Sequence, residues 1–327
     1  MPKFESILEG ELAEFLELRI STTSKSCSDH DRQILKHFDE YLCSINCREK
    51  NLTESQMYGW IATIKGRTST LASYVSTIRS FLHRLNGYGL HPFIPCAFKV
   101  PDDYSPYVFS DDELQKIFTI ADRCNSCAPR KYPFINLELP IVLRLLYGCG
   151  LRLGEAIMLK VSNVDLDKGV LLLQKTKSNE QRIVPVHPSM KEILRRYHIA
   201  MGLVGKPDAF LFPGIDMFSP LTEMAVRYPF NNIMREAGIS IPGRKSHQRG
   251  PCIHCFRHIF ACRSFKQGEI AGWAANDQVP WLSIYLGHKG LMETQKYLKF
   301  SNEVFPEAME MFNAYTNRIF PEVNFDE

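Results

Sequence analysis

The segment VLLLQKTKSNEQRIVPV, residues 170 to 186, decides the fold class. Val170 to Leu173 and Ile183 to Val186 are rich in β-forming residues, and the polar stretch Thr176 to Gln181 between them has the composition of a turn, which predicts a short antiparallel strand pair. Outward from this pair the pattern is helical. Upstream lie the apolar run Leu137 to Tyr147, the stripe Leu71, Tyr74, Val75, Ile78, Phe81, Leu82 and Leu85 closed by Asn86-Gly87, and the periodic set Ile34, Phe38, Leu42 and Ile45. Thr53 and Gln56 have capping-box spacing and open a helix through Met57, Ile61 and Ile64. Downstream, helices are expected over Met190 to Ala200, Met224 to Glu236, Cys255 to Lys266 and Met292 to Leu298. The fold class is therefore mainly α with a small antiparallel β-sheet, an α+β arrangement.

A chain of 327 residues suits two domains. Pro92, Pro95, Pro101 and Pro106 interrupt the helical pattern, and Ser110 with Glu113 restarts it with a second capping box. This places an all-helical domain at 1–98, a linker at 99–109 and a second domain at 110–327. The first residues carry Glu5, Glu9, Glu11, Glu14 and Glu17, unlike a secretory signal, and no apolar run is long enough for a membrane span. A cytoplasmic protein is expected, with its ten cysteines as reduced thiols.

The net charge of +3 says little, but its distribution says more. Lys65 to Lys99 contains Lys65, Arg67, Arg79, Arg84 and Lys99 without an acid, and Thr70, Ser73, Thr77, Ser80 and Arg84 share the polar face of one expected helix. Lys65, Arg67, Thr70, Ser73, Thr77, Arg79, Ser80 and Arg84 are candidate contacts to nucleic-acid phosphates. In the second domain, Arg152 sits in a glycine-rich turn, Gly148 to Glu155, and Lys177 lies in the turn between the strands. His254 and Arg257 open a helix, His288 follows Leu286-Gly287, and Tyr297 comes nine positions later.

This ordered set resembles the tyrosine recombinase, or phage integrase, family, whose signature is an arginine, a strand-turn lysine, His-x-x-Arg, Leu-Gly-His and a nucleophilic tyrosine. The resemblance covers nearly the whole chain. Leu71 to Leu85 is similar to a helix of the family's core-binding domain, Phe109 to Leu114 to the entry of its catalytic domain, and Leu211-Phe-Pro213 to a further family segment. It implies a site-specific recombinase that cleaves and rejoins double-stranded DNA through a 3′-phosphotyrosine and a Holliday junction. It also implies a homo-tetramer on two sites, with accessory recombination proteins as further partners, no membrane partner, and no cofactor or metal. Mobile-element integration, transposition, excision and chromosome-dimer resolution all stay open.

The chemistry supports the same roles. A phosphodiester repels nucleophiles and its transition state gathers negative charge, so fixed guanidiniums at Arg152 and Arg257 and a hydrogen bond from His288 are what it needs. The Tyr297 hydroxyl, ordinarily protonated at neutral pH, requires a cationic setting or a base such as His254. The departing 5′-oxygen requires a proton. By the family's spacing from Pro185 the donor is Lys177, leaving Lys175 at the strand end as its competitor. Glu155, one turn after Arg152, is expected to orient an active-site side chain.

Cys252, His254, Cys255, His258 and Cys262 cluster tightly enough to suggest half a zinc site, but no second ligand pair stands at a suitable distance, so they read as one buried helix. Arg244, Lys245, His247 and Arg249 make a basic approach to His254, a further DNA contact or a solvated loop. Beyond Tyr297, Phe305, Ala308, Met309, Phe312, Tyr315 and Ile319 recur at helical spacing, and this tail folds back or docks on a neighbouring protomer. Two rivals remain: a type IB topoisomerase-like strand relaxation, and a catalytically silent architectural DNA-binding protein.

Overall fold

The computed structural model describes residues 3–100, 107–123, 131–174, 181–240, 250–288 and 290–304, with side chains through residue 297. Lys175, Lys177, the Arg244 to Arg249 stretch and the tail from Phe305 lie outside the described residues. The chain divides into two compact units, Met1–Tyr104 and Ser105–Glu327.

The first unit is four helices, α1 (Glu9–Thr22), α2 (Lys25–Ser44), α3 (Glu54–Thr63) and α4 (Thr68–Gly87). Thr53 and Gln56 form the expected capping box at the start of α3. The apolar stripe of α4 is its buried face: Val75, Ile78, Phe81, Leu82 and Leu85 are inaccessible, each worth about 1.5–3 kcal/mol of burial. Phe38 of α2 meets Trp60 edge-on at 5.1 Å, and Phe15 of α1 meets Phe81 at 5.5 Å, so one aromatic cluster ties the helices together. The acidic first residues hide the helix α1, whose Leu12, Phe15 and Leu16 are buried in that cluster.

The second unit holds α5 (Asp111–Arg123), α6 (Ile135–Cys149), α7 (Leu153–Ile157), α8 (Pro188–Ala200), α9 (Glu223–Glu236), α10 (Cys255–Ile270), α11 (Ala275–Leu286) and α12 (Leu291–Val304). Ser110 and Glu113 cap α5 reciprocally, while Phe109 is already buried in this unit's core. The strand pair is present as β2 (Val170–Leu173) and β3 (Arg182–Pro185), antiparallel with Leu171 opposite Val184. A two-residue strand, β1 (Val164–Asp165), completes a three-stranded sheet in the order β1-β2-β3.

Helix α6 is the core of the second unit and is apolar on nearly every face. Its one buried acid, Glu138, has neither carboxyl oxygen hydrogen-bonded, and burial pushes its pKa up to about 8, so it is neutral at pH 7. The helix stops at Gly150, which adopts the left-handed conformation at φ 61°. A Cβ there would lie 2.5 Å from the Phe260 ring, which itself stacks on Tyr285 at 5.3 Å. Left-handed alanine costs about 1–2 kcal/mol and overpacking about 1–3 kcal/mol. Gly150→Ala is therefore expected to lower the unfolding free energy by about 2–4 kcal/mol. Gly148→Ala, inside α6 with open space around it, should be neutral or stabilise by up to about 1 kcal/mol. Urea unfolding of the two variants checks this, and equal effects would contradict it.

Candidate active site

The site is built where helix ends meet. Arg152 is the N-cap of α7, and its backbone amide donates to Glu155 Oε2 at 2.8 Å, so the short helix is capped by the carboxylate that also holds the arginine side chain. Arg152 Nη1 donates to Glu155 Oε1 at 2.8 Å and Nη2 to the Gly287 carbonyl at 3.0 Å. Arg257, in the first turn of α10, is 1% exposed. Its Nη1 donates to the Gly150 carbonyl at 2.8 Å, and its Nη2 to the Leu286 carbonyl at 2.7 Å. The two guanidiniums thus sit on the carbonyl-rich C-terminal ends of α6 and α11, where a cation is favoured.

A third arginine, Arg182 at the start of β3, completes the cluster and was not a candidate from sequence. It grips Glu155 with both forks, Nη2 to Oε2 at 2.7 Å and Nη1 to Oε1 at 3.1 Å. Its signal in the sequence was slight: a lone basic residue entering a strand. Arg257 Nη1 lies 3.9 Å from the same carboxylate. Burial alone would raise the Glu155 carboxyl, but the hydrogen bonds from Arg182 and Arg152 outweigh it and hold it below the ordinary carboxylate range. Burial, then Arg152, pushes Arg257 down to about 10, still protonated at neutral pH. Three cations therefore face one anion, and this cluster keeps an excess of positive charge.

His288 follows the left-handed Gly287 that ends α11. Burial, then Arg257, pushes its imidazole down to about 3, so the ring is neutral. Arg257 Nη2 is a donor and lies 3.0 Å from His288 Nε2. The ring proton is thereby assigned to Nδ1, which faces Thr294 Oγ1 at 2.6 Å. Tyr297, on α12, is 5% exposed and its ring lies parallel to His288 at 6.0 Å. Burial raises the Tyr297 phenol, with the charge of Arg257 pulling the other way. His254 is exposed and is separated from Tyr297 by His258, which meets His254 edge-on at 4.7 Å and Tyr297 at 5.4 Å. A cleft of about 710 Å³ opens onto Arg152 and His254, with Lys160, Gln174 and Arg227 along its wall.

Arg152, Glu155, Arg257, His288 and Tyr297 are thus brought together, His254 stands at the cleft, and Lys177 lies outside the described residues. The first unit's candidates divide. Lys65 and Arg67 are exposed ahead of α4. Arg84 pairs with Glu14 at 2.7 Å, Thr77 donates to Asp31, Ser73 meets His30, Ser80 donates to the Ser76 carbonyl and Arg79 bonds the Pro95 carbonyl. Thr70 lies against Gly66. Among the described residues no group of three or more metal-ligating side chains is placed to hold an ion.

Removing the shared carboxylate leaves buried guanidiniums uncompensated, so Glu155→Gln is expected to cost about 3 kcal/mol of stability at neutral pH. The folded-state pKa is depressed, so the carboxylate's contribution is complete above its unfolded value of about 4.3 and fades as pH falls through the folded one. In urea titrations the gap between wild type and variant should therefore narrow progressively as the pH falls below the unfolded value of about 4.3; a gap independent of pH would refute the assignment.

Comparison with known proteins identifies the family. The model of the phage integrase family matches residues 107–303. A putative integrase/recombinase of Sinorhizobium fredii is 32% identical over 231 residues, 68% of each chain. The tyrosine recombinase XerC of Staphylococcus carnosus is 26% identical, covering 72% of this chain and 73% of its own. Among solved structures, the XerH site-specific recombinase bound to a palindromic difH substrate superposes with TM-score 0.69 at 17% identity, over 93% of this chain and 95% of that one. A lambda integrase dimer bound to a COC′ core site gives 0.64 at 17%, over 88% and 93%. With the family model spanning more than half of its length, the chain belongs to the phage integrase family, the tyrosine recombinases.

Proposed function

We propose that this chain is a site-specific DNA recombinase that cleaves and rejoins double-stranded DNA through a 3′-phosphotyrosine at Tyr297. The observation that carries this reading is the excess positive charge of the Arg152, Arg182 and Arg257 cluster beside a buried tyrosine. One backbone phosphate supplies the missing anion. Its nonbridging oxygens take the outer forks of Arg152 and Arg257, which hold their charge in the transition state. His288 joins them once its proton moves to Nε2 and Thr294 donates to Nδ1 in turn.

In the proposed step the Tyr297 oxygen bonds to phosphorus while the bond from phosphorus to the 5′-oxygen breaks. The phenolic proton leaves toward the His258–His254 pair, and Lys177 protonates the departing 5′-oxygen. The ester keeps the energy of the broken bond, so a 5′-hydroxyl from a partner strand reverses the step without ATP. Lys65 and Arg67, both exposed, meet DNA phosphates together with the other basic and hydroxyl residues up to Arg84, and the reaction belongs in the cytoplasm.

Assembly into a homo-tetramer is supported by an apolar groove of about 1090 Å³ between β3, α10 and α11, lined by Ile183, Phe260, Trp273, Trp281 and Ile284. Trp281 and Ile284 are 66% and 70% exposed. In this reading the occupant is a neighbouring copy's segment from Phe305 to Ile319, whose apolar residues recur at helical spacing in the sequence.

A nicked suicide substrate tests the chemistry. Tyr297→Phe should bind DNA yet form no covalent adduct, and Arg152→Ala or Arg257→Ala should cleave about a hundredfold more slowly or worse. Lys177→Ala should be rescued by a 5′-bridging phosphorothiolate, whose sulfur departs without a proton; rescue of Lys175→Ala instead would transfer the role to Lys175. An adduct from Tyr297→Phe would end the proposal, and wild type that never forms one would favour the architectural reading. Truncation after Asn302 should weaken two-site synapsis and recombination more than single-site binding in gel shifts, and equal losses would mean the tail folds back. Relaxation of supercoils without exchange between two sites would favour the topoisomerase-like rival.

A further inference from the structure

At the N-terminus of α10, two cysteines bracket a residue of the cleft. Cys252 is half-buried and Cys255 is 1% exposed, and both are free thiols. Their sulfurs are 3.7 Å apart, and the Cys252 amide donates to Cys255 Sγ at 3.4 Å. The Cys255 amide donates to the Cys252 carbonyl at 2.9 Å, closing one tight turn around Ile253 and His254. Neither sulfur takes part in the chemistry described above. We propose that Cys252 and Cys255 are a reversible dithiol–disulfide site whose oxidation slows DNA cleavage.

Three features suit this pair to exchange. The hydrogen bond from Cys255, then the amides of His254 and Cys255 at the helix start and the charge of Arg227, hold the Cys252 thiol well below its ordinary value, while its partner bond and burial raise Cys255. Cys252 is thus the nucleophile and Cys255 the resolving thiol. Cys252 is also the more accessible of the two. Finally, their spacing across one helical turn lets side-chain rotation and a small backbone shift bring the sulfurs from 3.7 Å to a bond of about 2.05 Å.

The oxidant is a small-molecule disulfide such as glutathione disulfide. The Cys252 thiolate attacks one of its sulfurs, forming a mixed disulfide and releasing one glutathione, which takes a proton from solvent. Cys255 loses its proton to solvent and attacks the Cys252 sulfur, releasing the second glutathione. Two protein thiols are oxidised and one disulfide is reduced to two thiols.

The consequence follows from what the ring encloses. His254 lies between the cysteines, and its carbonyl accepts the Arg257 amide at 3.1 Å. Closing the ring pulls His254 from its edge-on contact with His258 and pins the turn from which Arg257 hangs. A misplacement near 1 Å in such a site costs up to about a hundredfold in rate.

The readout rests on the recombinase reading, so two measurements are made on the full-length protein. After equilibration in glutathione buffers of increasing disulfide fraction, mass mapping of alkylated peptides should show a Cys252–Cys255 bridge. Adduct formation on the suicide substrate should fall at least about tenfold and recover with dithiothreitol. Cys252→Ser should keep the reduced activity and lose the sensitivity. Cysteines that stay alkylatable throughout would overturn the site, and a mapped bridge with unchanged cleavage would overturn its regulatory role. A reduced wild type without adduct would count against the recombinase reading alone, because the mass map still decides whether the bridge forms.

Discussion

The carboxylate of Glu155 is the constraint on which the catalytic unit depends. Three guanidiniums cannot be packed around a buried pocket by burial alone, because desolvating each charge costs several kcal/mol. Glu155 offsets this through four hydrogen bonds, three from the side chains of Arg152 and Arg182 and one from the Arg152 amide. The carbonyl ends of α6 and α11 accept further bonds from Arg152 and Arg257. The compensation stops short of neutrality, and that shortfall is what makes the cluster a receptor for an anion.

Much of this was legible in the chain. The strand pair showed itself because β-rich apolar residues flank a polar turn, and β2 and β3 formed within one residue of the expected bounds. Arg152, Arg257, His288 and Tyr297 showed themselves through order and spacing, and the fold brings them close to one another. Arg182 did not, because a bidentate partner of Glu155 27 residues away leaves no local pattern. Helix α1 was masked by its acids, and α11 by Pro280 within an already apolar stretch. The hydroxyl face of α4 illustrates the opposite error of emphasis: Ser73 and Thr77 look free for phosphate on a helical projection, but α2 already supplies partners in His30 and Asp31.

The histidines show how burial decides roles that residue type leaves open. His288 is neutral because it is buried among arginines, and its tautomer follows from Arg257 having only protons to offer. His254 remains at the cleft surface, and His258, which the sequence grouped with the cysteines, stands between it and Tyr297. The spacing of His254 and Arg257 puts His254 at the N-cap and Arg257 in the first turn of α10, and it leaves His254 framed by Cys252 and Cys255.

The contacts of Arg152 span 134 and 135 residues of chain, and that of Arg257 to Gly150 spans 107. On a ribosome the chain emerges from its N-terminus, so α6 and both arginines leave the tunnel well before the carbonyls of Leu286 and Gly287 that receive them. Until α11 has folded, the guanidiniums lack half of their acceptors, and Tyr297 emerges only after it. A centre assembled this way closes last, and the nascent protein carries no competent blade until α11 and α12 are in place.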